Sequence, residues 1–463
     1  MKHVDVMVIG AGTAGLHAFH TARKHAENVV LVEAGPLGTT CARSGCMPSK
    51  TLIASSRAAR TVKLAAELGV GDGYATIDTA AVMRRVRSLR DEFVASVTED
   101  LVGLPDNVLI RATARFAAPG IVEAGGQTYA PRSVVIAAGS VAVIPDRIER
   151  ALGDRVMTIE DLWELESLPE SLLLFGAGPI GVETGQALAR LGVRVTCLSK
   201  GGSVGFLKDP EVTAEAVRGL SQCMTIETDA DILALGFEGS MISVRYRGGD
   251  GEERSETFEA VLAATGRRPN LESLDLERSG LVIGSHGVPL FDPATRLCEG
   301  EGDCHVFLAG DVDAKDPVLP KARTDGDIAG INAATWPLRM TRRERPNLFI
   351  AFTDPAMAQV GLSYQDAAKR SDFVMGTASY ENQGRARCEG RAEGLLRLYG
   401  SRATRKLLGG EMICHGGEHI AHTLAWAMSA DVTIDDLAEY PVYHPVLEEG
   451  LRTALEELRH AIG

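Results

Sequence analysis

The amino-acid sequence predicts an α/β protein: two copies of one strand–turn–helix–strand unit, followed by an α+β terminal domain. Three observations predict it. In the first unit a β-rich run over 4–9 leads into Gly10, Gly12 and Gly15, then a helical stretch and a second strand over 28–33. In the second, Ser171-Leu-Leu-Leu-Phe175 leads into Gly176, Gly178 and Gly181, a helix to Leu191 and a strand over 194–198. From about residue 349 the texture changes. Strand-like segments (349–360, 393–399 and 406–414) there lead to helices over 417–430 and 446–461.

The bulk numbers call for several cores. The chain has 463 residues, and domains of roughly 100–200 residues give three or four. Its 45% hydrophobic and 24% charged content is ordinary for a globular protein. A net charge of −14 repels a phosphate backbone, so nucleic acid is not an expected partner. One or two local basic residues still suffice for a nucleotide phosphate. No stretch reaches the apolar length of a membrane span. Asp5 interrupts the N-terminal run and no cleavage site follows, so the expected location is the cytoplasm. Eight cysteines lie scattered at 41, 46, 197, 223, 298, 304, 388 and 414, which is not a secreted disulfide framework. Cys41 and Cys46 form one close pair. In a reducing compartment a persistent disulfide is more often catalytic than structural.

In the first unit the three glycines have separate tasks. Gly10 allows a tight turn, Gly12 lets backbone approach a pyrophosphate, and Gly15 permits close helix–sheet packing. The helix start then faces the anion with unpaired N–H groups. Glu33 ends the next strand, where a carboxylate accepts from ribose hydroxyls. Each copy is thus a Rossmann-like dinucleotide-binding unit. Residues 222–263 tend to alternate polar and apolar positions between glycine-rich turns, which reads as an antiparallel meander inserted in the second unit.

The segment Gly38-Thr-Thr-Cys41-Ala-Arg-Ser-Gly-Cys46-Met-Pro-Ser-Lys50 follows directly. Pro48 fits the first turn of a helix, so Cys46 stands near a helix N-terminus, a position that favours a thiolate. Lys50, four residues on, shares the helical face of Cys46 and places a cation there. This segment resembles the active-site motif of the dihydrolipoamide dehydrogenase, glutathione reductase and mercuric reductase family (class I pyridine nucleotide-disulfide oxidoreductases). It departs from the usual form at Thr39, where the family has a second glycine.

The resemblance extends along the chain. Gly176, Gly178 and Gly181, followed by Glu183, resemble the family's nicotinamide-nucleotide fingerprint, and the resemblance pairs Glu183 with Lys50. NAD-dependent members carry an acidic residue at the end of the next strand. This chain has Ser199-Lys200 there: a serine to bond a phosphate and a lysine to offset its charge. The expected nucleotide is therefore NAD(P)H with a lean to NADP. Ala137-Ala-Gly139-Ser140 and Ala264-Thr-Gly266-Arg-Arg-Pro-Asn270 resemble the family's two interdomain loops. Val306-Phe-Leu-Ala-Gly-Asp311 resembles its second flavin motif, with Asp311 on a strand end accepting from the ribityl chain of FAD. By matching position, Ala114 offers backbone contacts to the adenine and Leu319 does so near the flavin ring.

Near the C-terminus Tyr443-His444-Pro445-Val-Leu-Glu-Glu449 resembles the family's His-Pro…Glu signature. It implies that His444 is the acid/base and that Glu449 orients it. In the family this histidine serves the partner subunit's site, so a homodimer with shared active sites is implied. The expected domains are an FAD domain with the redox disulfide (1–149), an NAD(P) domain (150–270), a central domain completing the FAD site (271–346) and a C-terminal dimerisation domain (347–463). The expected chemistry passes electrons between NAD(P)(H), FAD, Cys41–Cys46 and a small dithiol or disulfide. Cys46 would make the charge-transfer contact with the flavin and Cys41 would be the interchange thiol. The closest activity is that of dihydrolipoamide dehydrogenase; an NADPH-dependent, glutathione reductase-like enzyme is the alternative. Mercuric reductase is disfavoured because residues 459–463 lack the family's terminal cysteine pair, and transhydrogenase because the cysteine pair is intact. No preceding lipoyl domain is expected.

Overall fold

A computed structural model describes residues 1–341 and 345–463. The chain divides into two compact units, each built from three stretches of sequence. The first comprises Met1–Pro48, Arg87–Val143 and Arg267–Glu344; the second comprises Ser49–Val86, Ile144–Gly266 and Arg345–Gly463.

The first unit is organised on one twisted sheet. Strand Lys2–Ile9 lies between Val29–Val32 and Gln127–Ile136, parallel to both. Leu109–Ile110 extends the sheet beyond Val29–Val32, and His305–Leu308 pairs in parallel with the far half of Gln127–Ile136. The near half of that long strand instead continues into the antiparallel strands Ile121–Ala124 and Ala114–Ala118. Val29–Val32 is buried throughout and its sequence is Val-Val-Leu-Val, the continuous apolar run of a strand covered on both faces. Helices Thr13–Ala22 and Leu319–Thr335 pack together at glycines. A Cβ on Gly326 would stand 2.2 Å from the Ala14 carbonyl oxygen, and one on Gly330 would stand 2.4 Å from that of Ala18.

The second unit repeats the parallel pattern in the order Thr225–Glu227, Arg194–Leu198, Ser171–Phe175, Ala260–Ala263 and Val156–Met157. The meander is present as Asp231–Glu238, Met241–Arg247 and Glu253–Phe258. The C-terminal sheet is antiparallel, in the order Leu348–Ala351, Ala356–Gly361, Leu407–Cys414, Gly394–Ser401 and Phe373–Ser379. Helix Glu449–Ile462 lays Leu451, Ala454, Leu455, Leu458 and Ile462 against it, the spacing of one buried helical face. Each such leucine contributes about 1.5–3 kcal/mol of burial.

Two expectations need correction. The run 349–360 is two strands, because the chain turns at Thr353-Asp354-Pro355: the Thr353 hydroxyl donates to the Pro355 carbonyl at 2.6 Å. Asp311 does not end a strand. Strand His305–Leu308 stops three residues earlier, and Asp311 lies in a short 3₁₀ turn, Gly310–Asp313. The sequence reading also left strand Phe373–Ser379 and the long helix Thr79–Thr98 unassigned, and it read only the first turn of helix Cys46–Glu67. No helix among the described residues is long and apolar enough to cross a membrane.

Candidate active site

The two glycine turns are built alike. Gly10 adopts φ +105° and Gly176 φ +103°, both in the region that favours glycine. A Cβ on Gly10 would meet the Ala137 carbonyl oxygen at 2.4 Å, and one on Gly176 would meet that of Ala264 at 2.4 Å. Gly15 and Gly181 are closed against Gly10 and Gly176 in the same way. Gly12 and Gly178 differ: nothing stands within 4 Å of their Cβ positions. Each is the N-cap of its helix, with no side-chain cap and no acidic residue in the first turn. Both helix starts are therefore open cradles with a positive end, suited to a pyrophosphate.

In the first unit Glu33 accepts from the amides of Ala11 (2.6 Å) and Gly35 (2.7 Å). Each of its oxygens keeps a further lone pair for a ribose hydroxyl. Asp311 accepts from the Ser140 hydroxyl at 3.3 Å. Burial raises its pKa, with Ser140, Arg267 and Lys321 pulling the other way. Arg267 in turn donates to both the hydroxyl and the carbonyl of Ser140, a link that sequence reasoning missed. Gly139 adopts φ +72° beside open space, and its carbonyl accepts from Asn270 at 3.0 Å. Gly266, in the second unit, is likewise open at φ +112°. Ala114 starts its strand and is buried, whereas Leu319 starts helix Leu319–Thr335 and is exposed.

The cysteine segment folds as two helical pieces. Thr39 caps the short helix Thr40–Arg43 by accepting from the Ala42 amide, and it is buried. The departure from the family's glycine thus gives the loop a cap. Gly45 then turns the chain back: its amide donates to the Thr40 carbonyl at 2.6 Å, and a Cβ there would lie 3.5 Å from Cys41 Cα. Cys46 opens helix Cys46–Glu67, as the position of Pro48 predicts, and both cysteines are half-buried.

In the second unit Lys50 Nζ donates to Glu183 Oε2 at 2.9 Å. Glu183 is buried, and its other oxygen accepts from the Phe352 amide at 2.7 Å. Lys50 Nζ also lies over the Phe352 ring, 4.5 Å from its centre. Nothing in the local sequence signals Phe352, which comes 169 residues after Glu183. At the strand end, Ser199 is tied to the backbone of Glu227 and Ala230. Lys200 pairs with Asp231 at 2.7 Å, and both side chains are exposed.

His444 Nδ1 lies 2.7 Å from Glu449 Oε1. The His444 hydrogen bond holds the Glu449 carboxyl below its usual pKa, so Glu449 stays ionised. The loop before helix Glu449–Ile462 is pinned from the sheet side: Gln383 donates to the Val446 carbonyl at 2.7 Å and Tyr380 to that of Leu447 at 3.2 Å. The His444 imidazole itself is 81% exposed. No cluster of three or more metal-ligating side chains occurs among the described residues.

Residues 4–334 match the family model of pyridine nucleotide-disulphide oxidoreductases, and residues 349–455 match the dimerisation domain of the same enzymes. A dihydrolipoyl dehydrogenase of Thermus scotoductus is 31% identical, over 99% of this chain and 98% of that one. A mercuric reductase of Streptomyces lividans is 29% identical, over 98% and 95%. The HOCl-induced flavoprotein disulfide reductase RclA of Escherichia coli shares the fold at a TM-score of 0.80 and 22% identity, over 98% of this chain and 99% of that one.

The chain belongs to the pyridine nucleotide-disulphide oxidoreductase family, and it is an FAD-dependent enzyme of that family. The first cradle fits FAD: Gly12 is unobstructed, the helix start above it carries no side-chain cap, and Glu33 presents a carboxylate. The second cradle fits the pyrophosphate of a pyridine nucleotide on the same grounds.

Proposed function

We propose that the enzyme is dihydrolipoamide dehydrogenase-like, passing electrons between NADP(H), FAD, Cys41–Cys46 and a small dithiol or disulfide, as a cytoplasmic homodimer. The observation that carries this reading is the turn at Gly45, which folds the chain back on Cys41 as Cys46 begins its helix. Gly10, Gly12, Gly15, Glu33, Gly139 and Asp311 would hold FAD, with backbone from Ala114 and Leu319. Gly176, Gly178, Gly181, Gly266, Ser199 and Lys200 would hold the nicotinamide nucleotide. Bound FAD supplies a two-electron relay between the nicotinamide and the disulfide.

The reduced pair then does the exchange. The Cys41 thiolate attacks one sulfur of the substrate disulfide, forming a mixed disulfide and expelling the first thiolate, which His444 protonates. Cys46 attacks the Cys41 sulfur, which frees the second thiolate and restores Cys41–Cys46. Glu449 holds the Nδ1 side of the ring, leaving Nε2 to carry the proton. Oxidation of a dithiol runs the same steps in reverse. The dimerisation domain supports an assembly in which His444 serves the partner subunit's cysteines.

The NADP preference is supported by the absence of a carboxylate at 199–200 and by the exposure of Lys200. Its pair with Asp231 is a surface pair worth little, so a ribose phosphate competes for the lysine. Anaerobic stopped-flow reduction with NADPH and NADH, followed by lipoamide or glutathione disulfide, tests both points. The expected result is faster reduction by NADPH, then rapid exchange with lipoamide. Faster reduction by NADH overturns the preference. Turnover of glutathione disulfide in place of lipoamide moves the assignment to a glutathione reductase-like enzyme.

A further inference from the structure

The segment Phe352-Thr353-Asp354 is gripped from two helices at once. From helix Pro179–Arg190, Glu183, Gln186 and Arg190 reach it, residues that share one helical face. Glu183 accepts from the Phe352 amide, and the Gln186 amide group pairs with both the N–H (2.8 Å) and the carbonyl (3.0 Å) of Asp354. Arg190 donates to the Asp354 carboxylate at 3.0 Å. From helix Cys46–Glu67, Lys50 lies on the Phe352 ring and Arg60 approaches the Asp354 carboxylate at 3.2 Å. Arg391 closes the ring of cations at 3.1 Å. Burial pushes the Asp354 pKa up, but Arg190, Arg60 and Arg391 outweigh it and the carboxyl sits below its usual range.

This arrangement constrains Lys50 in a way a single ion pair does not. A lysine stem is flexible, and a carboxylate fixes only its tip. Here the ammonium has two anchors: Glu183 at 2.9 Å and the ring face at 4.5 Å. Phe352 supplies one anchor with its ring and steadies the other with its amide. Lys50 is still about one third exposed, so without the ring it has room to swing into water.

We propose that the Phe352–Asp354 turn is a positioning element for Lys50, with the Phe352 ring as the part that fixes the ammonium. The proposal rests on the sequence-based reading that Lys50 places a cation on the helical face of Cys46, where it favours negative charge in the reduced state. The turn belongs to the C-terminal portion of the chain, so that portion helps to set the redox chemistry as well as providing a dimerisation domain.

The test is a pH titration of the long-wavelength charge-transfer absorbance in reduced holoenzyme, for wild type, F352L, F352Y, D354N and K50A. K50A is expected to move the midpoint upward. F352L is expected to move it the same way by about half a pH unit, the size of a lost cation–π contact. F352Y keeps the ring and is expected to restore the wild-type midpoint, while D354N falls between. If K50A shifts the midpoint and F352L lowers only thermal stability, the turn is structural and the proposal fails. If K50A itself leaves the midpoint in place, the reading of Lys50 fails and takes the proposal with it.

Discussion

At His444 the structure presents an exposed imidazole held on one side by an ionised carboxylate, 2.7 Å away. That arrangement fixes the ring's tautomer without burying its proton-carrying nitrogen. His444→Ala should lower disulfide turnover by about 10²–10⁴-fold, the usual contribution of a positioned acid/base. Reduction of the flavin by NADPH should be unchanged, because the imidazole enters only at thiol exchange. Separate stopped-flow measurement of the two half-reactions checks this; a loss in the first half-reaction contradicts the assigned role. At residue scale the placement of the candidate site residues was legible wherever a local motif carries them, as at the Gly10 turn, the Cys46 helix start and the His444–Glu449 pair. It was not legible at Phe352 or Arg267. Their roles depend on segments brought together from far apart in the chain, and no local spacing marks them.

Among the elements, the contact between helices Thr13–Ala22 and Leu319–Thr335 decides how closely the first glycine turn can pack. Gly326 lets the second helix approach the carbonyl of Ala14, just past the Gly12 cradle. Gly326→Ala forces a Cβ to within 2.2 Å of that oxygen. It should cost about 1–3 kcal/mol of stability through overpacking, read by urea unfolding of the holoenzyme. Gly219→Ala is the control. It lies in helix Pro210–Leu220 with open space around it and should be neutral or stabilising by about 0.5–1 kcal/mol. Equal losses in the two variants contradict the packing argument. Most elements followed from periodicity: strand 194–198 is observed at the expected residues, and helix 417–430 as Gly417–Ser429. The apolar run 349–360 misled because its turn is made by the short segment Thr353-Asp354-Pro355 inside otherwise strand-like sequence. Helix Cys46–Glu67 was legible only at its start, where Pro48 marks the first turn, and helix Thr79–Thr98 was not read.

For the whole molecule, the recurrence of one glycine-turn geometry is the main organising fact. Gly10 against Ala137 and Gly176 against Ala264 are the same solution, reached in two sheets of parallel core strands. In the proposed reading, electrons pass from the pyridine nucleotide through FAD and leave at the cysteine pair. Both cysteines belong to a segment whose turn and cap are defined by local hydrogen bonds, and Cys46 begins a helix. The most direct measurement is differential thiol labelling with mass spectrometry, before and after anaerobic reduction by one equivalent of NADPH. The account predicts that Cys41 and Cys46 become alkylated only after reduction, together with a long-wavelength charge-transfer band. A flavin that is reduced while neither cysteine changes its labelling would contradict it.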